Sequence, residues 1–329
     1  TLHAIATMIS DSVSFKNIIS NGLVLDKSGN KMSKRLGNAV DPFITINQHG
    51  ADPVRWYMLT NAQPWDNLRF DISGVEEVKR KFFGTLYNTY SFFALYANVD
   101  GFTGKEPQVP VERRPEIDRW IISLLNTLVK EVTERYDDYD ITPAGRAISD
   151  FVTENLSNWY VRLNRKRYWG GGLDEDKLSA YQTLYTCLET VSILAAPIIP
   201  FFTDRIFVDL NAVSDRHSEE SVHLVAFPSY DKKLIDKHLE ERMEIAQKMS
   251  SMILALRRRV NIRVRQPLAK IMVPVTNGQF KKKFEAVRSL ILAEVNVKEV
   301  EYVDDTSGML IRRVKRSEEH TSELQSRQS

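Results

Sequence analysis

The chain has 329 residues, with 43% hydrophobic and 27% charged residues and a formal net charge of +2. That is room for about two domains at ~150 residues each, and the composition excludes wholesale disorder and collagen-like repeats. A single cysteine, Cys187, rules out a disulfide framework and a cysteine-rich zinc site and fits a reducing compartment. The six histidines include no H-x-x-x-H pair, so no protein-held metal is expected. The longest apolar run, Ile193 to Ile199, falls well short of the ~20 residues of a membrane span. With so little net charge, any polyanion site must come from basic residues concentrated locally.

Thr1 leads straight into Leu-His-Ala-Ile-Ala-Thr-Met-Ile, with no initiator methionine and no signal-peptide n-region. This start reads as the inside of a packed element whose partners lie upstream. Residues 15–25 (FKNIISNGLVL) are apolar and β-branched and predict a buried strand. Asp26-Lys27-Ser28-Gly29-Asn30 then predicts a turn, followed by Lys31-Met32-Ser33-Lys34-Arg35. Asp41-Pro42 provides an N-cap with Pro at the first helical position, and Gly50 closes that short helix.

From Glu76 to Leu210 the pattern is helical. Trp120, Leu124, Leu128 and Val132 recur at four-residue steps. Thr142-Pro143 opens a helix carrying Ile148, Val152, Leu156, Trp159 and Leu163 and ending at Gly170-Gly171-Gly172. Asp174 to Ala196 makes a third helix, broken by Pro197 and Pro200. These features predict a helical bundle. A further helix runs from Asp236 to Val260. After it the period changes to two, with Ile262 and Val264 alternating against Arg263 and Arg265, and strands are expected at Ile271–Val275 and Val300–Val303. The tail Arg316–Ser329 (RSEEHTSELQSRQS) has one aliphatic residue. It resembles a translated sequencing adapter and is set aside.

Three basic segments stand out. The first, Lys27 to Arg35, places four cations around Gly29 in a strand-to-loop turn, where ammonium and free N–H groups can meet phosphate. It is not a Walker loop, because the G-x-x-x-x-G-K-[ST] pattern is missing. The second is Asn158 to Trp169 (NWYVRLNRKRYW), with four cations and no acid. At about 100° per residue, Asn158, Arg162, Arg165 and Trp169 share one side, away from the apolar stripe that takes Trp159. Arg165 and Trp169 are i,i+4 neighbours, within cation–π reach. Cations beside aromatics suit RNA backbone and base stacking. The third spans residues 245–284, with ten Lys or Arg and no Asp or Glu. There Arg257 and Arg259 flank the apolar stripe of Met249, Ile253, Leu256 and Val260. Arg258 points away from it, and Arg263 and Arg265 face outward.

The order of elements around the first segment strongly resembles the signature region of class I aminoacyl-tRNA synthetases: strand, turn, Lys-Met-Ser-Lys-Arg, Leu36-Gly37-Asn38, Asp41-Pro42, Gly50-Ala51-Asp52 and Arg55. Asn-Gly-Leu-Val-Leu before the loop, Asn67-Leu68-Arg69-Phe70, the N-W-Y-x-R helix, Arg263-Val264-Arg265-Gln266-Pro267-Leu268 and Val295 to Val300 narrow the likeness to isoleucyl-tRNA synthetases. Valyl and leucyl enzymes fit these later segments less well, and a valyl enzyme stands as the alternative. The likeness covers residues 1–315.

The resemblance implies a mostly α fold. Residues 1–75 would be the end of a Rossmann-type α/β catalytic domain carrying the KMSKR loop, 76–230 an α-helical anticodon-binding bundle, and 231–315 a basic helix with a small α/β region. It also implies ATP-dependent attachment of isoleucine to its tRNA through isoleucyl-adenylate, with ATP, accompanied by Mg2+, as the nucleotide. Lys31 and Lys34 are the motif lysines and the expected catalytic residues. Lys31, Met32, Ser33 and Lys34 are expected at ATP, while Arg35 stands where the family more often has Ser. Arg162, Arg165, Trp169, Arg258, Arg263 and Arg265 are expected at tRNA. The family's H-I-G-H motif has no counterpart among the six histidines, so the sequence resembles the downstream part of a longer enzyme. A cytoplasmic monomer without membrane attachment is expected. The competing reading is a stand-alone tRNA-binding module.

Overall fold

The computed structural model describes residues 1–275 and 278–304. The tail and the last residues of the expected 231–315 region lie outside the described residues. The fold is mostly helical, and no described helix is long and apolar enough to cross a membrane. The chain divides into two compact units, Thr1–Lys237 and the part from His238 onward.

The first unit opens with α1 (Leu2–Ser10). Residues 15–25, expected as a buried strand, form one only at β1 (Val24–Leu25), which pairs in parallel with β2 (Leu68–Arg69). Phe15, Ile18 and Leu23 are exposed, as are Leu2, Met8 and Ile9 of α1. Two residues of ladder bury only what lies directly beneath them, and nothing described covers the rest. α2 (Pro42–His49) starts as its sequence predicts: the Asp41 carboxylate accepts N–H bonds from Phe43 (2.8 Å) and Ile44 (3.1 Å).

α3 (Ala51–Asn61) carries the N-terminal segment onto the bundle. Its Asp52 carboxylate accepts the Phe202 N–H (2.7 Å) in the first turn of α10 (Pro200–Ser214), a cap supplied from 150 residues away. Burial raises the Asp52 pKa, against the pull of the backbone N–H groups of Phe202 and Phe201. Arg55 donates to the carbonyls of Ile198 (2.8 Å) and Pro197 (3.1 Å), which the proline break leaves open. Trp56 stacks on Phe82 at 4.1 Å.

A run of packed helices follows. α4 (Ile72–Val78) runs through a π-helical turn (Lys79–Phe83) into α5 (Gly84–Asp100), and α6 spans Glu116–Asp137 with Trp120, Leu128 and Val132 buried. α7 (Ile141–Asp150), a π-helical stretch (Phe151–Val161) and α8 (Arg162–Trp169) form one continuous rod. The rod alters the expected stripe. Ile148, Val152, Leu156, Tyr160, Asn164 and Tyr168 are the buried steps of four, and Leu163 is only half-buried. In a pure α-helix, steps of four drift by about 40° each. The wider π turns hold them in line. α9 (Glu175–Ala195), capped by Asp174, lies in the centre and is buried on nearly every side.

The second unit contains α11 (Lys237–Arg259) and a β-α-β arrangement: β3 (Leu268–Val275), α12 (Gly278–Val295) and β4 (Val297–Asp304), with the strands parallel and Leu268 opposite Val297. Both strands are longer than their expected apolar cores. Phe284, Val287, Ile291 and Val295 of α12 and Val273 of β3 are buried.

The α3–α7 contact leaves no room for a side chain at Gly145, where a Cβ would sit 2.6 Å from Thr60 Cγ2 and 3.4 Å from Ile198 Cδ1. Gly145→Ala is therefore expected to destabilise the first unit by about 1–3 kcal/mol. Urea denaturation would show it as a lower midpoint with an unchanged slope.

Candidate functional site

The lysine loop is held from inside by two polar residues. Asp26 Oδ1 accepts the N–H groups of Ser28 (2.9 Å) and Asn30 (2.8 Å), an Asx turn closed by Gly29 N–H to Asp26 O (2.9 Å). Gly29 has φ +86°, a left-handed conformation that L side chains rarely adopt, and a Cβ there would meet Arg69 Nε at 3.3 Å. Leu25 and Lys31 then pair across the loop's base. Asn38 reaches back from the far end: its amide donates to Asp26 Oδ2 (2.9 Å) and the Lys31 carbonyl (3.2 Å), and its oxygen accepts the Ser33 N–H (2.8 Å). The Asn38 hydrogen bond first, then the Asn30 backbone, lower the Asp26 pKa.

Lys31, Lys34 and Arg35 are exposed on this braced loop. Ser33 caps the short 3-10 turn Lys34–Leu36, its hydroxyl accepting the Arg35 N–H (3.3 Å). Met32 turns the other way and packs against the cluster of Tyr57, Leu68, Phe70 and Val75. The Met-Ser centre of the motif thus anchors and turns the backbone, and the two lysines carry the charge outward.

The second basic segment splits by exposure. Arg162, Arg165, Lys166 and Trp169 are exposed, the last at 60%. Arg167 turns inward: its guanidinium pairs with both oxygens of the fully buried Asp118 (2.7 and 2.9 Å) and with Asp176 (2.9 Å). Burial pulls the Arg167 pKa down, but the Asp118 hydrogen bonds and charge outweigh it and hold it above the ordinary value. Trp159 is buried, as the apolar stripe predicts, and the cation over an indole is Arg162 on Trp159 (5.7 Å). The expected Arg165–Trp169 contact does not form among the described residues; no cation there lies over Trp169.

In the second unit Arg258 is exposed on α11, and Arg257 is buried. Arg257 donates to the carbonyls of Arg263 (2.7 Å), Val264 (3.3 Å) and Gln266, so the segment expected to be extended folds into a turn, with Gln266 N–H to Arg263 O at 3.0 Å. Arg263 and Arg265 are both exposed on that turn rather than alternating along a strand. Leu256 and Val260, expected in the buried stripe, are exposed because the inward face runs through Met243, Ala246, Ser250, Ile253 and Arg257.

Residues 1–71 match the family described as tRNA synthetases class I (I, L, M and V), and residues 118–273 match the anticodon-binding domain of tRNA ligase. The isoleucine–tRNA ligase of Bacteroides fragilis is 67% identical over 315 residues, 96% of this chain. That of Porphyromonas gingivalis is 64% identical over the same share.

The chain belongs to the class I aminoacyl-tRNA synthetases, in the isoleucine–tRNA ligase family.

It spans 28% of the length of the Bacteroides relative and 27% of the Porphyromonas one. Among solved structures, the LeuRS of Agrobacterium radiobacter K84 has the same fold over 92% of this chain and 35% of its own (TM-score 0.55, 16% identity). Methionyl-tRNA synthetase of Mycobacterium tuberculosis matches 62% of this chain and 41% of its own, with a TM-score of 0.50 and 21% identity.

The sequence places Asp26 in a turn, Asn38 in the signature and Arg257 beside an apolar stripe, and does not single out Asp118; the structure shows all four holding neighbouring backbone or side chains in place. Asp26 carried a usable signal, an Asx residue two positions before a Ser-Gly pair. Asp118 carried none, because its partners lie 42 to 61 residues away.

Asp26→Ala is expected to raise amide exchange at Ser28 and Asn30 severalfold, relative to intrinsic rates, while the urea midpoint stays put. In the unmodified protein the Asp26 pKa is lowered by folding. Its bracing is therefore complete above the ordinary carboxylate range and is lost as pH falls through the lowered value. Exchange measured from pH 6 downward checks this order.

Proposed function

We propose that this chain supplies the ATP-facing loop and the tRNA-binding surface of an isoleucine–tRNA ligase. That enzyme joins isoleucine to ATP as isoleucyl-adenylate and passes the aminoacyl group to its tRNA. The observation that carries this reading is the loop: two exposed lysines on a backbone fixed by Asp26 and Asn38, within a segment matching class I synthetases.

As the amino acid carboxylate attacks the α-phosphorus, negative charge grows on the departing pyrophosphate. Ammonium groups pre-set at that place stabilise the transition state more than the ground state. Lys34, at the start of the capped turn, and Lys31, at the loop's base, are proposed for this role. Met32 would act from below through its apolar anchor, and Ser33 through the cap. Arg35 adds a cation where a hydroxyl is the commoner choice. The loop residues suit phosphate oxygens, and the Mg2+ expected with ATP would ride on those oxygens.

The tRNA would lie along the exposed cations of α8, with Trp169 available to stack on a base, and on Arg258, Arg263 and Arg265 of the second unit. The bare apolar residues of 2–24 are proposed to lie under the remaining catalytic domain in an enzyme of the relatives' length. The enzyme is further proposed to work as a cytoplasmic monomer.

In a ligase of that length carrying residues 1–315 of this chain, Lys34→Ala is expected to cut isoleucine-dependent ATP–pyrophosphate exchange ~10²–10³-fold. The isoleucine KM should change little. An unchanged rate would remove Lys34 from the mechanism. The 329-residue chain alone should give negligible exchange, but should bind an isoleucine tRNA transcript in preference to valine and methionine transcripts. Its affinity should fall steeply with salt. Equal binding to all three would reduce the basic residues to a non-specific footprint.

A further inference from the structure

The proposed RNA face of α8 depends on a residue that is itself turned away from solvent. Arg167 Nη1 and Nη2 each donate to one oxygen of Asp118, which is 0% exposed. Nε reaches Asp176 Oδ2 (2.9 Å), and Nη2 also meets the Asp176 carbonyl (2.7 Å) and Ser179 Oγ (2.9 Å). Asp118 is on α6, and Asp176 and Ser179 are on α9, so one planar guanidinium is fixed from two neighbouring helices. The remaining capacity of Asp118 is taken by the hydroxyls of Tyr160 (2.8 Å) and Ser179 (3.0 Å).

This clamp sets the roll of the helix about its own axis. At about 100° per residue, Arg162, Arg165 and Trp169 each lie within roughly 40° of the point diametrically opposite Arg167. Holding Arg167 inward therefore aims all three outward together. The end of the helix is tied as well, since the buried Lys177 donates to the Gly170 carbonyl (2.6 Å) and pairs with Asp100 (2.5 Å).

We propose that Arg167 is a positioning residue for tRNA binding: it touches no RNA, and through Asp118 and Asp176 it fixes the angle at which Arg162, Arg165 and Trp169 meet the nucleic acid. The proposal rests on the reading of α8 as an RNA face. It requires the fork geometry of arginine and not merely a positive charge, because a lysine ammonium cannot bridge both oxygens of Asp118 and reach Asp176.

The test uses the full chain and an isoleucine tRNA transcript, with affinity measured across a salt series. Arg162→Ala/Arg165→Ala is made first in the unmodified background. A loss of affinity with a shallower salt slope confirms the RNA face; no effect overturns that reading and the proposal with it. Arg167→Lys, which keeps the charge, is then expected to weaken binding about tenfold. The log–log salt slope should flatten by about 1.4, the value for two lost phosphate contacts on a single strand. The Arg162 and Arg165 substitutions should cost little more in that background. A merely structural Arg167 would lower the melting temperature while leaving the slope, and the cost of the Arg162 and Arg165 substitutions, intact. That result overturns the proposal while the RNA face stands. If Arg167→Lys does not fold, Asp176→Asn decides in its place. It takes the charge from a partner that is half exposed and leaves the Asp118 pair, so the slope should flatten by a smaller amount, and an unchanged slope overturns the proposal.

Discussion

A carboxylate with no access to water sets the terms for the bundle. Burying the Asp118 side chain near the start of α6 is costly unless donors surround it. The fold surrounds it with Arg167, Tyr160 and Ser179, drawn from α8, the π-helical stretch and α9. Satisfying one acidic side chain thus fixes three elements relative to a fourth. The burial that raises the Tyr160 pKa well above its ordinary value also keeps that hydroxyl a donor at any pH the protein meets. Removing Arg167 would leave the buried Asp118 without the guanidinium it pairs with, which is a larger penalty than the pair's own net stabilisation.

Similar reasoning explains how cations that look alike in the sequence divide their labour. Arg55 and Arg146 cover helix-end carbonyls, Arg114 is buried among Val109 O, Thr183 and Gln182, and Arg257 gathers the carbonyls of the turn that follows it. These are hydrogen-bonding forks used as internal struts. The exposed cations Lys31, Lys34, Arg162, Arg165, Arg258, Arg263 and Arg265 are the ones proposed to meet phosphate. Near-neutral net charge therefore conceals a marked separation of roles by location.

Much of the fold could be read directly from the residues. The Asp41-Pro42 cap, the helix breaks at Pro197 and Pro200, the buried Trp159 and the two late strands all follow from local rules of capping, proline geometry and periodicity. The turn that carries the motif lysines is legible because its neighbours in sequence are also its neighbours in space. The failures share one cause. Residues 15–25 read as buried because they are apolar, but burial needs a covering partner. A fixed 3.6-residue period puts Leu163, Leu256 and Val260 on buried stripes, and the helices depart from it or turn another face inward. Arg263 to Arg265 alternate like a strand, yet a guanidinium from the preceding helix pulls their carbonyls into a turn. Long-range partners decide each of these positions, and no window of sequence contains them.

The π-helical stretch at Phe151–Val161 also bears on how the chain can vary in length. Holding every fourth residue inward from Ile148 to Tyr168 absorbs about 200° of rotation that an α-helix would have accumulated, which is two residues' worth of turn. That slack is local. A deletion of one or two residues within the stretch can be taken up by winding it back towards α-helix, leaving Ile148 and Tyr168 on the same side. The same deletion between Arg162 and Trp169 has no slack to draw on and would swing everything after it around the axis. Tolerance of insertions and deletions along this rod should accordingly be concentrated in its middle and absent at its basic end.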